Sequence, residues 1–261
     1  NFCRDKLTSV IQLTGLIIGI ASFILIQLYV DHQKSYNTAF TDAKDIYRIN
    51  LIRGENKPQA QTPLRLAREL TQNFREVEDA TRISPSSVSV KHLQGVYSER
   101  ALYADANYFE IFDFELIEGD INTALDAPDS LILHQDLANK YFSTTVGVIG
   151  KRLTINGKDH QVTGVVKKPE IPTTMPLTMI LPMVNFYGQI SRPEWVDAWN
   201  FNATRTYAKI RQPAKINTLT QTVSDYYDTR AKGLSSFKTH RVIFQPLLDI
   251  YLDNTTTKSL T

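Results

Sequence analysis

The sequence predicts an α+β fold: an N-terminal transmembrane helix followed by a two-lobed outer domain. Three observations carry this. Residues 7–30 (LTSVIQLTGLIIGIASFILIQLYV) contain no Asp, Glu, Lys, Arg or His. Downstream, runs of apolar–polar alternation are interleaved with runs of helical spacing, the marks of strands and helices respectively. A hairpin-rich middle separates two βα-containing parts, which can pair into one layered structure with the middle as a second lobe.

As a helix, the apolar run is about 36 Å long, enough for a hydrocarbon core of ~30 Å with some tilt. Arg4 and Lys6 precede it; Asp31, His32 and Lys34 follow. Cations before the span favour a cytoplasmic N-terminus. A cleaved signal peptide would have an apolar core of ~7–15 residues ending in small residues. This run is longer and ends Gln27-Leu28-Tyr29-Val30, so a retained anchor is expected. Tyr29 stands where an interfacial aromatic would. Gly15 and Gly19 lie four residues apart, with Ser22 following. Gly15, Gly19 and Ser22 are thus the candidate packing face for another membrane helix, against the competing reading that glycine is simply common in membrane helices. Gln12 and Gln27 are costly toward lipid and point to protein partners or an interface.

Composition narrows the classes. The 261 residues carry a formal charge of +2 and no Lys/Arg block, so no nucleic-acid partner is expected. Aromatic residues make up 10% of the chain, enough for a packed core. The single cysteine, Cys3, precedes the span, leaving the outer domain without a disulfide. That is compatible with a bacterial periplasm without requiring it. The chain starts with Asn and ends in a polar run, so both ends read as limits of a longer protein.

The elements follow in order. Residues 31–42 read as a stalk continuing the helix or as a link to the fold. Residues 46–52 (IYRINLI) alternate as a half-buried strand does. Thr62-Pro63 offers an N-cap and a first-turn proline, with Leu66, Leu70 and Phe74 at helical spacing beyond. Residues 88–93 and 96–103 flank Gln94-Gly95 as a hairpin. Residues 107–112 form a short aromatic helical turn, and Gly119 opens a new texture. Residues 130–133 read as a strand and 135–142 as a helix, with Leu137, Ala138 and Tyr141 on one side. Residues 153–155, Asn156-Gly157 and 160–166 make the clearest hairpin, because Asn-Gly suits a type I′ turn. Pro169, Pro172, Pro176 and Pro182 punctuate a linker-like stretch. Residues 205–211 alternate again, 214–230 are helical with Ile216, Leu219, Val223 and Tyr226 or Tyr227 inward, and 242–247 close as a strand.

Catalytic motifs are missing. His32, His92, His134, His160 and His240 are scattered without metal-ligand spacing and read as surface or loop residues. There is no nucleophile elbow, and residues 84–87 (SPSS) read as a turn. Residues 147–152 (GVIGKR) resemble a phosphate loop, but Arg152 stands where Ser or Thr would hold magnesium. Glu78 and Asp79 lack the companions of an acid/base pair and read as solvated surface.

Several segments together carry a family resemblance: GLIIGIA at 15–21, DIYR at 45–48, YFEIFDF at 108–114 with Gly119-Asp120, LANKYF at 137–142, IGK at 149–151, VTGV at 162–165 and QPLLDIYL at 245–252. In order and spacing, over nearly the whole chain, they resemble the permease subunits of the macrolide-exporter (MacB) and FtsX-like class of ABC transporters. The resemblance implies a porter-like lobe of βα units with an inserted, smaller β-rich lobe, both periplasmic. Residues 1–30 would be a cytoplasmic stub and first transmembrane helix, and 31–44 the stalk. The porter-like lobe would comprise 45–104 and 200–252, the insert 105–199, and 253–261 a linker toward a second transmembrane helix. It further implies a bacterial inner-membrane location and no cofactor in this chain. ATP and magnesium are expected in a separate ATPase subunit, because only residues 1–6 precede the span. Permeases of this class form a homodimer or pseudo-dimer in membrane lipid, some with a periplasmic adaptor and an outer-membrane tunnel protein. ATP-driven closure moves the outer domains to expel substrate or extract it from the outer leaflet.

Two other readings stand beside it. A single-span sensor or ligand-binding module needs no further apolar stretch, whereas a permease does. An anchored hydrolase lacks every motif it should show.

Overall fold

The computed structural model describes residues 6–93, 95–233, 240–253 and 255–256. The expected cytoplasmic stub at 1–5, the turn residue Gln94 and most of the tail after Asp253 lie outside the described residues.

Helix α1 (Lys6–Lys34) is 29 residues long. Its most apolar stretch has a mean hydropathy of 2.3, and none of that stretch is buried within the chain. By length and composition this helix is long and apolar enough to cross a membrane. The helix passes the apolar run by one turn and stops at Lys34. It does not continue to residue 42, because Asn37 adopts a left-handed backbone with φ 64°. Residues 35–45 are a strap of turns.

The domain is built on one mixed sheet. Its strands are β1 (Ile46–Arg53), β2 (Thr62–Pro63), β3 (Val77–His92), β4 (Gly95–Ala104), β5 (Leu116–Gly119), β6 (Ser130–His134), β7 (Arg152–Ile155), β8 (Lys158–Val166), β9 (Met179–Pro182), β10 (Asn202–Ile210) and β11 (His240–Pro246). The order along the sheet is β11-β1-β10-β3-β4-β9-β6-β8-β5, with β2 on β10 and β7 bridging β3 and β8. The first four, with helices α2 (Leu66–Asn73) and α6 (Ile216–Ala231), run β1-α2-β3 then β10-α6-β11, antiparallel throughout. This is the split βαβ arrangement. Everything between β3 and β10 is inserted into that unit.

Strand β3 joins the two regions. Val77 to Ile83 pair with β10, and Ile83 to His92 pair with β4. Arg82 and Asp105 fasten this handover. The guanidinium donates through Nε and Nη2 to the two carboxylate oxygens at 2.8 and 2.7 Å, and Nη1 donates to Leu64 O at 2.7 Å.

The sheet has two buried faces. On one, α2 and α6 cover Tyr47, Ile49, Leu51, Ala208 and Phe244. Further along the same face, α4 (Gln135–Phe142) and α5 (Met183–Tyr187) cover Val90, Tyr103, Leu131 and Val162. The opposite face is a single core across both regions: Ile46, Tyr207, Ile83, Leu102, Ile180, Ile132 and Val166, roofed by α3 (Tyr108–Phe112), Phe40 and Leu247. The strap leaving α1 therefore packs on a surface to which both regions contribute.

Edge strand β11 is blunted from α6. Ser224 Oγ accepts from Val242 N at 2.9 Å and donates to Val242 O at 3.2 Å, and the Asp228 carboxylate accepts from His240 N at 2.7 Å. Capping backbone groups this way blocks edge-to-edge pairing.

Several expectations are corrected. Thr62-Pro63 is not a helix cap; it forms β2, where Thr62 Oγ1 bonds Thr204 O and the Thr206 hydroxyl, and α2 starts at Leu66 without a side-chain cap. Residues 84–87 are strand, not turn; β10 stops pairing at Ile83, and proline is tolerated beside an open flank. The proline-punctuated stretch contains β9, which is fully buried. His134, His160 and His240 are buried rather than surface residues. Glu78 is exposed, as expected, and pairs with Lys209 at 3.3 Å.

Candidate functional site at the foot of the domain

The strap between α1 and β1 is where a displacement of α1 would enter the domain, and its chemistry centres on Asn37. This residue is fully buried. A non-glycine residue with positive φ is uncommon, and asparagine tolerates it best. Its N–H donates to Pro172 O at 3.0 Å. Its Nδ2 donates to Leu247 O and to Thr174 Oγ1, both at 2.9 Å. Its Oδ1 accepts from Thr174 N at 2.8 Å and from Thr173 Oγ1 at 3.1 Å. One amide thus ties three segments far apart in sequence: the helix exit, the 172–174 loop of the insert and the C-terminal end of the domain. Buried polar groups this fully paired specify a single geometry.

The strap is held beyond Asn37 as well. Phe40 packs edge-on against Phe112 and Phe114, with centroids 5.4 and 5.1 Å away. Thr41 N donates to the Asp113 carboxylate at 2.8 Å. The Asp42 carboxylate pairs with Lys209 Nζ at 2.6 Å, and Asp45 O accepts from Ile210 N at 2.8 Å.

The chain leaves the domain beside its entrance. The Tyr251 ring stacks on Tyr36. Asp253 gathers Gln245 Nε2 at 2.8 Å, Thr255 N at 2.7 Å and Thr256 N at 3.3 Å, the pattern of an Asx turn. Burial raises the Asp253 pKa, but the donors from Thr255, Thr256 and Gln245 outweigh it and hold the carboxyl well below its ordinary value. Gln245 Oε1 accepts from Arg48 Nη2 and Asn50 Nδ2, both at 2.7 Å, so the exit is anchored on β1.

This arrangement holds the segments together. Among the described residues, no group of three or more His, Cys, Asp or Glu is placed to hold a metal. In the loop that resembles a phosphate cradle, the Glu118 carboxylate accepts from Gly147 N at 2.6 Å and Val148 N at 3.1 Å. Those amides hold the carboxyl of Glu118 below its ordinary pKa.

The expected packing residues lie elsewhere. Gly15, Gly19 and Ser22 sit on the exposed α1, and a Cβ on either glycine would meet nothing within 4 Å. They are not brought to the junction. Sequence reasoning missed Asn37, Thr173 and Thr174; the one available signal was an asparagine, apt for left-handed backbone, three residues past the helix end.

A family model described as MacB-like periplasmic core domain matches residues 9–226. The chain belongs to this family. Members of the MacB-like family are permease components of ABC-type transporters, a class not itself catalytic. Three solved structures share the fold. A domain assigned to a permease protein from Porphyromonas gingivalis superposes with a TM-score of 0.67 at 18% identity, covering 85% of this chain and 96% of that one. The periplasmic region of MacB from Actinobacillus actinomycetemcomitans gives 0.55 at 12% identity, covering 82% and 95%. The extracellular domain of the noncanonic ABC-type transporter YknZ from Gram-positive bacteria gives 0.55 at 12% identity, covering 76% and 99%. No curated protein matches the sequence.

Proposed function

We propose that this chain is the permease part of an ABC-type export or extraction system, and that its outer domain moves when a separate ATPase subunit hydrolyses ATP. The observation that carries this reading is the Asn37 junction. A displacement of α1 reaches Asn37 within one turn of the helix end, and from there reaches the 172–174 loop and Leu247 through direct hydrogen bonds. Interlocked contacts of this kind pass rigid-body motion rather than absorb it.

In this reading α1 is embedded in a bacterial inner membrane with its N-terminus cytoplasmic, and the domain is periplasmic. The porter-like lobe, residues 45–104 and 200–252, contains the split βαβ unit together with β4, and residues 105–199 are the second lobe. Gly15, Gly19 and Ser22 form the face on which α1 meets another helix of a homodimer or pseudo-dimer. The stack of Tyr251 on Tyr36, two residues past α1, supports a chain that turns back to the membrane beside its point of entry. A periplasmic adaptor and an outer-membrane tunnel fit an exporter of this class. ATP and magnesium belong to the ATPase partner.

The test is co-purification. The chain, expressed with an ABC ATPase subunit from the same genome, should form a complex that hydrolyses ATP, while the chain alone should not. Turnover by the chain alone would overturn the reading, and no association with any ATPase would favour a single-span sensor or binding module.

A further inference from the structure

A cleft of about 410 Å3 opens beside the junction, between the strap that leaves α1 and the 167–173 loop of the insert. Its volume falls in the ~300–1,000 Å3 range of small-molecule sites. Its floor is apolar: Phe40 and Phe114 are buried, and Ile171 at the mouth is 37% exposed. Its rim carries both signs of charge. Lys167 pairs with Glu115 at 2.8 Å, and among the described residues Lys168 and Glu170 enter no ion pair. A free anion would find carboxylates as well as ammonium groups here, so the rim suits a head with both charges.

Position narrows the ligand further. Ala39 and Phe40 line the cleft, and α1 ends at Lys34. Five residues of extended chain reach at most ~18 Å, and the turns of the strap shorten that. If α1 lies in the membrane, the cleft lies within about 24 Å of the end of the apolar run, at the membrane-proximal end of the domain.

We infer that this cleft binds the zwitterionic headgroup and glycerol of a membrane phospholipid of the phosphatidylethanolamine type. The phosphate meets Lys168, the ammonium meets Glu170, and the first acyl carbons lie on Ile171 and Phe114. The ligand touches the strap on one side and the insert loop on the other, so occupancy braces the junction that Asn37 forms. This inference rests on the membrane placement of α1 given above.

The experiment uses the full chain in liposomes of digalactosyldiacylglycerol, whose head carries no charge, doped with a phosphatidylethanolamine that carries a photoreactive diazirine beside the glycerol. Flotation comes first: a chain that does not float with the liposomes overturns the membrane placement and this inference with it. In chain that floats, light should attach the probe to residues 167–173 or to the strap. Unlabelled phosphatidylethanolamine should compete, and phosphatidylglycerol should compete far less. The variant Lys168→Glu/Ile171→Glu changes exposed side chains and should keep the thermal midpoint while losing about tenfold in labelling, the loss expected when one charged contact of ~1.4 kcal/mol is removed. Equal labelling of a folded variant, labelling spread along α1 without preference, or equal competition by phosphatidylglycerol would each overturn the cleft assignment while leaving the membrane placement intact.

Discussion

The ring of Tyr36 lies on the ring of Tyr251, with centroids 3.5 Å apart and planes 8° from parallel. One residue sits just past α1 and the other just before the last described segment, so this contact closes the domain at its foot. Entry and exit of the chain are thereby fixed to each other, and through Asn37 to the insert. Three independent devices, a ring stack, a buried amide and the Asp253 cluster, hold the same corner.

Asn37 should be the most sensitive position of the strap. Asn37→Gly keeps the left-handed backbone and removes the side-chain hydrogen bonds, and should cost about 2 kcal/mol in urea unfolding, since each such bond contributes ~0.5–1.5 kcal/mol net. Asn37→Ala adds the strain of a Cβ at positive φ and should cost ~1 kcal/mol more. Equal stability of all three proteins would contradict the role assigned to this amide.

Arg82 and Asp105 should be the critical pair at the β3 handover. Burial opposes the charge on Arg82, but the two hydrogen bonds it donates to the Asp105 carboxylate outweigh it and hold the guanidinium firmly protonated. Asp105→Asn leaves a mostly buried cation without its counter-charge and should destabilise by about 3 kcal/mol, the lower end for broken buried pairs. The measurement is a denaturant midpoint; a change within error would mean that solvent compensates the pair.

Acidification should loosen the insert before it loosens the split βαβ unit. Burial lowers the pKa of His134, against the opposing pull of Asp136, and burial also lowers that of His160, against its bond to Lys158 O. Below the ordinary histidine value of ~6.5 the unfolded chain takes up protons that the folded chain refuses. Stability is therefore complete above that pH and declines as pH falls through it toward the depressed values. The double variant His134→Gln/His160→Gln should flatten the dependence of the thermal midpoint between neutral and mildly acid pH. An unchanged slope would contradict this attribution.

Packing along α1 should be separable from folding of the domain. Gly15→Leu with Gly19→Leu should lower the yield of assembled complex in a membrane pull-down several-fold, because close helix approach requires small side chains. The outer domain should keep its melting behaviour, since neither glycine touches it. Unchanged complex yield would remove these residues from the interface.

Much of the fold was legible where side chains follow a single period. The Asn156-Gly157 turn has φ 49° and 79°, both in the left-handed region that a type I′ turn requires. The inward set of α6 was legible apart from a choice between adjacent tyrosines: Tyr227 is buried with its hydroxyl on Trp199 O, while Tyr226 reaches Glu69. The first half of β3 was not legible, because its carboxylates serve partners on other elements: Glu78 meets Lys209, and Asp79 accepts from Asn107. Strand β9 was hidden by the prolines before it and by Pro182, which only ends it. Gly119 marked a change of texture for a steric reason: a Cβ there would strike the Thr163 carbonyl. The junction was invisible, because Asn37 acts through residues more than 130 positions away, such as Thr174 and Leu247, and no local pattern encodes such contacts.

The most direct test follows the motion itself. Spin labels at position 91, an exposed strand site near the far end of β3, report the distance between two copies in the assembled complex with its ATPase. ATP should shift that distance in the native protein. In Asn37→Ala the shift should disappear while ATP hydrolysis continues. A distance indifferent to ATP in the native complex, or a shift that survives loss of the Asn37 amide undiminished, would contradict transmission through this junction.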